Sequence, residues 1–210
     1  MVLAAAAART SAIRLTSATT LIGVADPVRV YEDFATVDLV SRGRAEIIAG
    51  RSAFVEPFAL FGYDSADYDT LFAEKLGLLL DIRSSSSVTW SGRFRPGLDG
   101  AFVGPGAVQD PLPVWIGVGG SPDSARRAGQ LGLPMILGYI GGTLAHLKPL
   151  ADLYRAASED AGHADSLRLA ISTHFYAGPD PESARDAFPD HRRRALPGSA
   201  GQPLSRRETG

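Results

Sequence analysis

The sequence predicts an α/β fold, a parallel sheet with helices packed outside it. Three observations carry this. Strand-like and helix-like segments alternate along most of the chain, and the strands read as continuously apolar rather than alternating. Turn and cap residues punctuate the joins. Five strands are expected, at 13–22, 45–50, 114–119, 133–140 and 167–176. From the pattern alone, an open doubly wound sheet and a piece of a (β/α)8 barrel both remain open. A full barrel takes eight units and about 250 residues.

The chain of 210 residues, 45% hydrophobic, suffices for one domain with a core. A formal charge of −2 gives no reason to expect a nucleic-acid partner. The absence of cysteine excludes disulfides, thiolate metal sites and cysteine nucleophiles, and fits a cytoplasmic chain. No apolar run reaches the ~18 residues of a membrane span. The opening "MVLAAAAARTSAIRL" lacks a basic residue ahead of its short apolar block. It reads as the last turns of an alanine-rich helix, not as a signal peptide.

"AIRLTSATTLI" is a β-branched strand. In "ADPVRVYEDFATVDLVSRGR" (25–44), Asp26 is the expected N-cap and Pro27 the first helical residue. Val30, Phe34, Val37 and Val40 follow at helical spacing, and Gly43 stops the helix. "AEIIAG" is a short strand, and 66–83 an amphipathic helix. Residues 84–113, rich in Ser, Gly and Pro, form an excursion with one hairpin around "VTWSGRF". The alternation then resumes: "PVWIGVG" strand, "SPDSARRAGQLG" helix, "LPMILGYI" strand, "LAHLKPLADLYRAASEDAG" helix, "LRLAISTHFYAG" strand and "DPESARDAF" helix start. Residues 189–210 lack a hydrophobic period and read as a disordered tail, a solvated linker or the product of a shifted frame, leaving 1–188 as the domain.

The join at 117–122 carries chemistry. Gly117, Gly119 and Gly120 clear the end of a strand, Ser121 is the expected N-cap and Pro122 the first helical residue. Free N–H groups and the helix dipole favour a phosphate there, although the same turn also works with no ligand. Neither the Walker pattern nor Gly-x-Gly-x-x-Gly is met, since position 122 is proline. Arg51 follows the strand "EIIAG" at the carboxyl end, where parallel α/β folds place ligands. It suits either a bidentate grip on phosphate or a salt bridge with Glu56 or Asp64.

Three segments, "DPVRVYEDFATVDLVSRGRAEIIAGRSAFVEPFALFG", "PLPVWIGVGGSPDSARRAGQLGLPMIL" and "LADLYRAASEDAGH", in this order and spacing, resemble the bacterial-luciferase-like flavin-dependent monooxygenases. The resemblance runs over about residues 3–188. It implies an incomplete (β/α)8 TIM barrel lacking the first two units and the last, and binding of reduced FMN, or alternatively a deazaflavin. By the same resemblance, Arg51, Gly120, Ser121 and Pro122 match the flavin-phosphate site, and Ala18 and Thr19 match positions against the isoalloxazine ring. It further implies an organic substrate oxidised with O2, a separate NAD(P)H-dependent flavin reductase and a homodimer through barrel helices. A non-catalytic flavin-phosphate-binding or dimer-partner protein is the alternative.

No catalytic residue and no metal ligand is assigned. His163 is expected exposed at a helix-ending turn, His146 at a polar helix start and His191 in the tail. His174 is expected to be a partnered structural histidine at a strand end, and Glu32 with Asp33 to lie on a solvated or salt-bridged helix face.

Overall fold

The computed structural model describes residues 1–139 and 144–195, with side chains described to residue 189. Its elements are α1 (Val2–Arg9), β1 (Leu15–Thr16), β2 (Thr20–Leu21), α2 (Pro27–Ser41), β3 (Ala45–Gly50), α3 (Glu56–Leu60) and α4 (Tyr68–Ser84). Then come β4 (Ser87–Trp90), β5 (Leu98–Phe102), β6 (Val114–Val118), α5 (Pro122–Gln130), β7 (Met135–Tyr139), α6 (Lys148–Asp160), β8 (Leu169–Thr173) and α7 (Pro181–Ala195).

The main sheet runs β1-β3-β6-β7-β8, with β2 also pairing β3, and every pairing in it is parallel. The sheet curls as a half-barrel of five parallel strand positions with helices outside, a partial TIM barrel. The expected strand 13–22 is therefore interrupted. Leu15 pairs with Ala45 and Thr20 with Ala49, while Ser17–Thr19 leave the ladder between them. Ser17 and Thr20 bond through their hydroxyls across the interruption at 2.7 Å.

α2 begins where its capping residue dictates. Asp26 accepts from Val28 N at 2.9 Å and Arg29 N at 3.3 Å, with Pro27 next in line. The helix ends through two left-handed residues, Arg42 at φ 59 and Gly43 at φ 84, and Gly43 N donates to Asp38 O at 2.9 Å. Asp38 is fully buried and accepts from Ala45 N, Gln109 N and Gln109 Nε2 at 3.1, 2.9 and 2.7 Å. It thereby ties α2 to the start of β3 and to the excursion.

β3 is buried at all six positions because helices cover one face and the curled sheet the other. Ala45, Ile47 and Ala49 join the core with Val114, Ile116 and Val118 of β6 and Met135 and Leu137 of β7. Period two turns Glu46, Ile48 and Gly50 to the opposite, inner face. There Glu46 accepts from Trp115 Nε1 at 2.6 Å and pairs with Arg14, while the Arg168 guanidinium lies 4.7 Å from the Trp115 ring. α5 and α6 approach closely at Gly129, where a methyl would lie 2.8 Å from the Ala157 methyl.

Several boundaries differ from the sequence reading. The hairpin pairs β4 with β5, so "SGRF" forms its loop, not its second strand. Glu74 of α4 holds that loop, accepting from Arg93 N at 2.8 Å and Phe94 N at 2.9 Å. The short α3 was not anticipated. The expected boundary at 188 falls inside α7, which passes Pro189 and continues to Ala195; the tail beyond lies outside the described residues. Residue 140, the expected end of a strand, also lies outside them.

Candidate functional site

The carboxyl ends of parallel strands share one rim of the sheet, because every strand points the same way. β3 delivers Arg51 to that rim and its neighbour β6 delivers Gly119, Gly120 and Ser121. The turn after β6 is built as its residues require. Gly120 has φ 150, a value side chains disfavour, and a methyl on Gly119 or Gly120 would meet nothing within 4 Å. Ser121 Oγ accepts from Ser124 N at 3.3 Å, and Pro122 opens α5. Ser124 N is thus capped, Ala125 N donates to Ser121 O at 3.3 Å, and the helix dipole favours an anion at this end.

Thr19 sits over the inner face between two glycines. A methyl on Gly50 would lie 2.8 Å from Thr19 Cβ, and one on Gly117 would lie 3.0 Å from Thr19 Cγ2. Ala18 beside it is exposed. Thr19 thus covers Gly50 and Gly117, while Gly119 and Gly138, next along this face, meet no side chain. The structure therefore brings Ala18 and Thr19 to the same sheet end as Arg51 and the Gly120–Pro122 turn.

Arg51 is largely buried at 14% exposure. It forms a salt bridge, but with Asp69 of α4 and not with Glu56 or Asp64. The first turn of α4 faces the end of β3, whereas Asp64 is occupied capping Ala66 N at 2.8 Å. The Arg51 guanidinium also lies over the Tyr68 ring at 4.8 Å and near the Phe72 ring at 5.9 Å. Tyr68 donates to Ser52 O at 2.8 Å. Burial pushes its phenol above the ordinary value of 10.0; Arg51 opposes that shift and Asp69 adds to it.

Arg127 of α5 was not singled out in the sequence. Its guanidinium lies 5.3 Å from the same Phe72 ring, and its buried NH1 has no hydrogen-bond partner among the described residues. Only the helical register of "SPDSARR" could have pointed to it. Of the histidines, His174 departs from expectation: its buried Nε2 has no hydrogen-bond partner among the described residues. His163 packs its ring over Gly132 and is half-buried rather than exposed. His146 is exposed in the turn Leu144–Leu147, and the side chain of His191 lies outside the described residues. Glu32 pairs with Arg29 at 3.1 Å on the solvated face of α2.

A curled half-barrel of five parallel strand positions with helices outside it defines a class, the (β/α)8-barrel proteins, of which this chain carries part. Within it, the sequence profile of the luciferase-like monooxygenases matches residues 1–208, and the chain belongs to that family. Its fold is similar to that of the monooxygenase RslO1 from Streptomyces bottropensis, with TM-score 0.80 and 24% identity over 95% of this chain and 61% of that one. It is also similar to the oxygenating constituent of 3,6-diketocamphane monooxygenase from Pseudomonas putida, solved with FMN, at TM-score 0.73 and 19% identity. That match covers 93% of this chain and 59% of the other. The coenzyme F420 dependent tetrahydromethanopterin reductase from Methanopyrus kandleri gives TM-score 0.72 and 21% identity over 89% and 57%. At these identities the likeness shows the fold. The chain spans about three-fifths of the length of these relatives. No helix among the described residues is long and apolar enough to cross a membrane.

Proposed function

We propose that this chain binds the phosphate of a flavin, reduced FMN in the first instance, and serves a flavin-dependent oxidation of an organic substrate with O2. The observation that carries the reading is the adjacency of Arg51, at the end of β3, to the Gly119-Gly120-Ser121-Pro122 turn after β6. In this reading the phosphate takes the free N–H groups of the α5 start and the Arg51 guanidinium, displacing Asp69. The ring lies along the glycine-lined face against Ala18 and Thr19. Bound flavin supplies the redox chemistry with oxygen, and the chain's residues orient and shelter it. A deazaflavin is the alternative cofactor, supported by the F420-dependent relative. A separate NAD(P)H-dependent flavin reductase as electron source and a homodimer complete the proposal.

One observation favours a second reading, flavin-phosphate binding without turnover. Among the described residues β8 is an edge strand, and its Leu169 and Ile171, in register with Met135 and Leu137 on the helix-facing side, remain exposed, so the sheet is open to water along this edge. Efficient flavin oxygen chemistry requires a dry site. Thermal melting of the chain with and without FMN, beside Arg51→Ala, tests the site. A transition raised by FMN in the parent and unmoved in the variant supports the phosphate reading. A transition that FMN leaves unmoved in both overturns it. Oxygen consumption with reduced FMN then separates the two readings.

A further inference from the structure

We propose that Arg127 is a second arm of this anion site, and that the paired guanidiniums select a dianionic phosphate monoester over a phosphodiester. The inference rests on the flavin-phosphate reading above and narrows its ligand class. Phe72 of α4 is 1% exposed, and two arginines from different elements converge on its ring, Arg51 at 5.9 Å and Arg127 at 5.3 Å. Arg127 lies on α5 itself, about 7.5 Å of helix rise beyond Pro122. Helical side chains lean toward the N-terminus, so this one leans toward the turn that carries Ser121.

The charges around the ring do not balance. Arg51 has one carboxylate partner, Asp69, which is 74% exposed and free to swing away. The buried NH1 of Arg127 has no partner among the described residues. One turn along α4, Lys75 is 1% exposed, its Nζ lies 4.0 Å from the Tyr63 ring, and it too lacks a hydrogen-bond partner among the described residues. A buried cation without a counter-charge is costly, and an anion entering the rim relieves that cost. Two guanidiniums, with Asp69 on Arg51 and Asp123 of the α5 first turn already paired with Arg126, suit a ligand with two negative charges better than one. A phosphate monoester reaches that charge above its second pKa of about 6, whereas a diester never does.

The test compares FMN, riboflavin and the methyl phosphodiester of FMN by fluorescence quenching on the full chain, with Arg51→Ala, Arg127→Ala and Arg127→Lys. The parent is expected to bind FMN more tightly than the diester and the diester more tightly than riboflavin. FMN affinity should rise between about pH 5 and 7 as the monoester gains its second charge. Arg127→Ala should weaken FMN roughly tenfold or more, leave riboflavin unchanged and flatten the pH rise. Arg127→Lys, which keeps the charge but not the fork, should recover the pH rise and part of the affinity. Should Arg127→Ala fail to melt cooperatively, Arg127→Gln takes its place. Equal binding of FMN and riboflavin by the parent overturns the phosphate reading, and this inference with it. A preference for FMN that Arg51→Ala abolishes and Arg127→Ala preserves overturns the second arm alone. Equal affinity for FMN and its diester overturns the charge selection.

Discussion

Thr19 occupies the space that a side chain at Gly50 would need: a methyl there would sit 2.8 Å from Thr19 Cβ, on the inner face where β2 pairs with β3. Glycine at the end of β3 is what lets the irregular stretch after β1 close down beside Arg51. Gly50→Ala should therefore destabilise the chain by about 1–3 kcal/mol, the usual cost of overpacking. Combining it with Thr19→Gly should recover most of that loss in urea unfolding. Strictly additive losses would show that the two sites do not touch energetically.

Asp69 competes with any anion for Arg51. Asp69→Asn should tighten FMN binding several-fold while leaving stability within about 1 kcal/mol, since ion pairs with a solvent-exposed member contribute little. Parallel FMN titration and thermal melting separate the two effects. Weaker binding in the variant would mean that Asp69 orients Arg51 for its ligand rather than opposing it.

Asp38 organises a different part of the fold. It is fully buried, with three donors from the β3 start and from Gln109 converging on its carboxylate. Asp38→Ala strands Ala45 N and Gln109 N, while Gln109 Nε2 keeps its bond to Ala45 O at 2.7 Å, and the expected loss is about 3 kcal/mol. A drop of under about 1 kcal/mol in urea unfolding would show that water replaces the carboxylate without difficulty.

The α5–α6 contact has no slack. A methyl on Gly129 would fall 2.6 Å from Tyr154 O and 2.8 Å from Ser158 N, both backbone atoms that cannot turn aside. Gly129→Ala should push the helices apart and lower the melting temperature, although alanine is the better helix former in isolation. If the melting temperature rose, propensity would outweigh packing here.

Two tyrosines predict the alkaline limb of stability. Burial raises both Tyr68 and Tyr154 above the ordinary 10.0; at Tyr154 the hydrogen bond with the Arg168 backbone partly opposes it. The native state thus holds these protons more tightly than the unfolded chain does. Their stabilising contribution is complete below pH ~10 and is lost as pH rises from there through the higher native values. Ultraviolet titration should show these tyrosines ionising later than in the unfolded chain. In Tyr68→Phe the alkaline loss of stability should be smaller.

The sequence by itself determined the α/β class, the order of the strands and the helix starts, because these depend on neighbours in the chain. Asp26 before Pro27 and Ser121 before Pro122 each make a start whose capping bond is local. The continuous apolar run at β6 likewise reports burial on both faces. Tertiary structure alone decided what crosses between elements. Arg51 takes Asp69, 18 positions away, instead of the nearer Glu56 or Asp64, because the helical register of α4 turns that carboxylate toward the end of β3. Thr19 interrupts a strand that reads as continuous, because its room depends on glycines at 50 and 117 in two other strands. Arg127 meets Phe72 only once α5 and α4 lie against the same sheet. Local patterns encode caps and periods; the positions of distant side chains follow from the packing of whole elements.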